Sequence, residues 1–209
     1  MPAMDQSGTE DLSRLRAIAE EGRAAPLLGG WHLILWGGAI GLALLINWAV
    51  AARLLPWPGW SLAISWFGIA GLAWAASFAI GRHRFDSRGA HTVGNRVERA
   101  VWIAAGYFLM VLALALLAHG LLSADPTAWE LYALMPPVAF GAYAIALEAS
   151  AVAAGNGSMR PNILLSLAFA AATTLLIGEA EQSLVAAAGI ALVAIPTGVR
   201  QLRDERRAA

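Results

Sequence analysis

Six apolar stretches, each long enough or nearly long enough to cross a bilayer, leave this chain few ways to fold: His32 to Ala52, Trp60 to Ile80, Ala100 to Leu121, Leu131 to Ala153, Pro161 to Ile177 and Ser183 to Val199. A spanning helix needs about 20 predominantly apolar residues, with about 17 to 25 tolerated. The composition agrees, because 59% apolar and 13% charged residues exceed what one globular core can hide. The expected fold is therefore all-α, a polytopic bundle of six transmembrane helices. The last two stretches are the shortest, so their ends are the least defined and a re-entrant hairpin is the alternative there.

Basic residues stay on the cytoplasmic side during insertion, so the loops vote on orientation. All 14 basic residues are arginine. Arg14, Arg16 and Arg23 precede the first stretch, Arg82, Arg84, Arg88, Arg96 and Arg99 follow the second, Arg160 follows the fourth, and Arg200, Arg203, Arg206 and Arg207 end the chain. Only Arg53 lies on the opposite side. Both termini are thus expected inside. The arrangement divides the chain into a cytoplasmic segment 1–30, a six-helix transmembrane domain 31–200 and a cytoplasmic tail 201–209. Trp31, Trp57, Trp60 and Trp129 fall at expected ends, where indole rings favour the headgroup level.

Residues Thr9 to Ala25 place Leu12, Leu15, Ile18 and Ala19 at helical spacing, with Ser7 and Glu10 at the spacing of a capping box. A short amphipathic helix is expected, suited to lie on the bilayer or to dock a protein partner. No cleavable export signal is read at the start, where the residues are polar and partly acidic. In the second loop, five arginines outnumber Asp86 and Glu98, which suits an anionic lipid surface worth about 1 kcal/mol per basic residue. Asn95 and Glu98 fit a cap and third-position acid for a helix running into the third stretch. Nucleic acid is not an expected partner, because no soluble reading module accompanies the basic residues.

Ionisable and polar groups within a bilayer are costly and so are the first candidates for function. The approximate midpoints of the six stretches, Leu42, Ala70, Met110, Ala142, Phe169 and Ala191, carry no charge. That argues against proton-coupled transport through the midplane. Glu148 is the acid deepest in a stretch, roughly 8 Å from the inner end at 1.5 Å per residue. With Asn47 and His119 it makes the set of ligand or coupling candidates, while Arg53, Asp125, Glu130, Glu179 and Glu181 read as an ordinary solvated outer rim. Pro136 and Pro137 are expected to kink or break the fourth helix, since each removes a backbone donor and crowds the preceding turn.

Catalytic chemistry has no motif to stand on. The chain lacks cysteine, and no nucleophile elbow, phosphate loop, dinucleotide fingerprint or zinc-protease helix occurs. His32, His83, His91 and His119 do not converge in sequence, so no metal or other cofactor is expected. Gly37 and Gly41 form a Gly-x-x-x-Gly pattern in the first stretch, read as a helix-packing surface within the chain. The N-terminal amphipathic helix, the Pro-Leu-Leu-Gly-Gly run from Pro26 to Gly30 and the Trp-rich first stretches resemble uncharacterised bacterial multi-spanning inner-membrane proteins. That resemblance implies a multi-pass protein of the bacterial inner membrane and brings no catalytic residues. The leading expectation is a non-enzymatic binding or regulatory component acting through its cytoplasmic segments. The alternatives are a small transporter or channel using the fourth helix, and a membrane-embedded enzyme.

Overall fold

The computed structural model describes residues 26–84, 90–155 and 157–208, together with Asp11 and Ser13; the side chains of residues 83, 84 and 126 are not described. The expected amphipathic helix Thr9 to Ala25 therefore lies outside the described residues, apart from those two. Six α-helices follow: α1 (Gly30–Ala51), α2 (Trp60–Arg84), α3 (Val93–Leu122), α4 (Met135–Ala153), α5 (Arg160–Leu175) and α6 (Glu181–Ala208). No strand occurs among the described residues. Five segments are long and apolar enough to cross a membrane, namely α1, α2, α3, α6 and the stretch Thr127–Ala153 that ends in α4, and the chain is a helical-bundle membrane protein. The exception is α5, whose 16 residues reach about 24 Å at 1.5 Å per residue, short of a hydrocarbon core of about 30 Å.

Three ends differ from the sequence reading. Helix α3 begins seven residues before Ala100, and its 30 residues extend about 45 Å. Its first two turns, Val93 to Arg99, are polar and stand ahead of the apolar section that spans. Helix α6 continues through the expected tail to Ala208. In the fourth stretch, a 3-10 segment (Pro126–Leu134) leads into α4, and Pro136 and Pro137 occupy the first turn of that α-helix. Proline is tolerated there because the first-turn N–H groups have no intrahelical acceptor. The pair marks the change from 3-10 to α geometry.

Lateral order follows from the pairs that pack: α2 lies on α1, α1 runs along α6, α6 meets α5, α5 meets α4, and α4 meets α3. The core gathers Leu44, Phe140, Tyr143, Leu147, Ala186, Ala187, Ile190, Val193 and Ala194, with Trp66 and Trp102 packed against it. Small residues make this density attainable. A Cβ on Gly37 would stand 2.9 Å from Ala194 Cβ, and one on Gly41 would stand 3.5 Å from Ile190 Cγ2, so the Gly37 and Gly41 pair serves the α1–α6 interface. Gly189 leaves room for the stacked rings of Phe140 and Phe169, whose centroids are 5.6 Å apart. Gly155 and Gly178 adopt positive φ of 62° and 92° just beyond α4 and α5, the left-handed turn that lets each helix reverse.

Candidate functional site at the inner end of the bundle

Pro26 to Gly30, the neck that joins the N-terminal segment to α1, is held by side chains from three elements. Leu27 is buried among Ala151, Met159 and Ala154 at the end of α4, a contact worth about 2 kcal/mol for a leucine removed from water. Asn95, in the first turn of α3, accepts from the Leu28 N–H through Oδ1 at 2.8 Å. Its Nδ2 donates to Pro26 O at 3.0 Å. One amide side chain therefore stands in for a strand partner along the neck. The sequence reading of Asn95 as a helix cap is corrected, because Thr92 holds the N-cap position.

Glu98 lies one turn further along the same face of α3. It is only 3% exposed. Its Oε2 accepts from the Gly29 N–H at 3.2 Å, and its Oε1 accepts from Gln201 Nε2 of α6 at 2.8 Å. Both donors are neutral, and Glu98 has no ion-pair partner among the described residues. Burial pushes its carboxyl up from 4.5 to about 7, against the lowering effect of the Gln201 and Gly29 hydrogen bonds. Glu98 precedes the apolar section of α3, so this environment is built by protein at the membrane boundary.

Glycine is required where these parts meet. A Cβ on Gly29 would lie 2.8 Å from Glu98 Oε1, and those on Gly30 and Gly198 would each lie 2.6 Å from the other's carbonyl oxygen. The carboxylate thus approaches bare backbone on one side, and α1 crosses α6 backbone to backbone on the other. Gln201 is also buried, and its Oε1 has no hydrogen-bond partner. Close by, Arg200 donates to Ser158 O at 2.9 Å and ties α6 to the turn before α5.

The other sequence candidates do not join this cluster. Glu148 is exposed on α4, and His119 is exposed near the end of α3. Asn47 donates through Nδ2 to Ser183 Oγ at 2.8 Å, bolting the outer end of α1 to the start of α6. Arg82 is exposed with its guanidinium 5.1 Å from the Phe78 ring centroid, a cation–π contact. Arg96 and Arg99 are exposed, and Arg99 reaches Ala90 O at 3.4 Å. The side chains of Arg84, Arg88 and His83 lie outside the described ones. Among the described residues no group of three or more His, Asp or Glu side chains is placed to hold a metal.

Gln201 was assigned to a tail by sequence. The signal that finds it is periodicity: Ala186, Ile190, Val193, Thr197 and Gln201 are all buried and follow one another at steps of three or four residues along α6. A polar residue that continues such a stripe faces the bundle. Comparison with known proteins finds no family model that matches, no similar curated protein and no similar solved structure.

Proposed function

We propose that this chain is a non-enzymatic binding or regulatory component of the bacterial inner membrane, with both termini in the cytoplasm, whose bundle presents the N-terminal segment to a protein partner. The supporting observation is the clamp on the neck: Asn95 and Glu98 of α3 spend buried polar groups on fixing Pro26 to Gly29, and Gln201 of α6 holds Glu98. Buried polar contacts of this kind fix geometry more than they add stability. Because Glu98 bonds both the neck and α6, a shift of α3 against α6 would be felt at the neck. Exposed Arg82, Arg96, Arg99 and Arg203 at the same end suit an anionic leaflet and would seat the junction at the lipid surface.

Transport through the fourth helix has less support. Glu148, its central residue, is exposed on the outside of α4.

The test is photo-crosslinking in cells from Leu12, Leu15 and Ile18, one position at a time, with adducts identified by mass spectrometry. A discrete protein adduct that disappears when Gly198→Leu distorts the clamp is the expected result. No adduct from any position, or the same co-purifying proteins after deletion of residues 1–25, overturns the proposal.

A further inference from the structure

The apolar outer faces of α2 and α3 suit lipid, and nothing seated on them points to another occupant. The outer rim of acids is solvated. The inner clamp differs, because it contains an ionisable group that is almost wholly buried, has no countercharge among the described residues and touches the backbone of a connecting segment.

We propose that the Glu98 junction is a proton-dependent latch: protonation closes it on the neck, and loss of the proton frees Pro26 to Gly29 from α3. This deepens the proposed function, resting on that reading only for what the released segment does.

The physical case begins with desolvation. A carboxylate 3% exposed, hydrogen-bonded by one backbone N–H and one amide, has no opposite charge among the described residues to offset the loss of water. Among the described residues, no charged group on the surrounding elements forms an ion pair with it. His32 begins α1 and is half-buried; Arg96 and Arg99 on α3 are exposed, the latter turned to Ala90 O; Arg200 and Arg203 on α6 are exposed, the former turned to Ser158; Asp204 and Glu205 on α6 are half-buried, with Asp204 4.0 Å from Arg207. Pro26 to Gly30 contains no titratable side chain.

The geometry also provides for the proton. The amide of Gln201 has an unpartnered buried oxygen, and turning that amide over sets the oxygen against Glu98 Oε1. A protonated Glu98 then donates to Gln201, while Oε2 still accepts from Gly29. On ionisation the proton passes to bulk water, and the carboxylate recovers its hydration only when the neck moves away. With Gly29 packed against the carboxylate, there is no room for that water in the closed state.

The sign follows from linkage. A group whose value is raised in the closed state from 4.5 to about 7 favours closure fully below 4.5, and that preference is lost as pH climbs to about 7. Between pH 5 and 7 the opening equilibrium should increase by about 40-fold, because the open form is already partly ionised at pH 5 and the closed form is half ionised at pH 7.

Hydrogen exchange on the full chain in detergent micelles reads this directly, because the Leu28 and Gly29 N–H groups are the donors to Asn95 and Glu98. Protection factors, corrected for intrinsic exchange chemistry, are measured from pH 5 to 8 on a peptide covering the neck. The wild type should lose about 70-fold of protection across that range, most of it below pH 7. Glu98→Gln, which is neutral throughout, should stay flat and protected. Asn95→Ala should lower protection at every pH and keep the wild-type slope. Flat protection in the wild type, or the same slope in Glu98→Gln, overturns the latch. No partner is present, so failure of the latch is separable from failure of the binding proposal.

Discussion

The two ends of the bundle are both closed by a buried glutamine, and they differ in what that glutamine faces. At the outer end Gln182 donates to Ala133 O at 2.7 Å and to Thr173 O at 2.9 Å, pinning the 3-10 segment and α5 to the start of α6. Every contact there is neutral. At the inner end Gln201 meets the buried carboxyl of Glu98 and keeps an unpartnered oxygen. A satisfied neutral clamp is indifferent to pH and resists motion, whereas an ionisable clamp with an unfilled acceptor has a second arrangement within reach. The contrast identifies the outer end as a rivet and the inner end as the responsive part of the molecule.

Substitutions can break that contrast in order of size. Gly198→Leu drives a side chain into the Gly30 carbonyl, 2.6 Å from the new Cβ, and should destabilise by about 3 kcal/mol through overpacking. Thermal unfolding in detergent should show the loss, with exchange increasing at the inner end first. Gln182→Ala should cost about 2 kcal/mol by leaving buried carbonyls without a donor, by the same amount at pH 5 and pH 8. A cost that varies with pH would erase the distinction between the ends. Asn47→Ala removes one hydrogen bond to Ser183 and should cost about 1 kcal/mol, again without pH dependence. Glu148→Gln, on the outside of α4, should leave the unfolding temperature unchanged.

Much of this architecture is legible in the sequence because a bilayer imposes length and hydropathy so strictly. The six apolar stretches fall on the six helices, and Gly37 with Gly41 falls on a real α1–α6 contact. What escapes is the polar junction. Asn95 and Glu98 carry the spacing of a helix start, and nothing local distinguishes a residue that caps its own helix from one that reaches to the Leu28 and Gly29 N–H groups 67 and 69 positions away. Gln201 hides in an arginine-rich segment that looks solvated until its place on the buried stripe of α6 is followed. Pro136 and Pro137 mislead for the opposite reason. Their effect depends on where the α-helix begins, and the 3-10 segment before them moves that start to Met135.

A latch at the inner end needs no water path through the middle of the bundle, where a polar group such as Ser166 is buried and bonds to Phe140 O. Because the chain has no cysteine, single Cys residues can be placed at each position from Met135 to Ala151 and labelled from either side with a membrane-impermeant thiol reagent. Labelling restricted to the first and last turns of α4, with Phe140, Tyr143 and Leu147 dry, is the expected result. A labelled stripe at helical spacing running through those three positions would reveal an aqueous path across the bundle and contradict it.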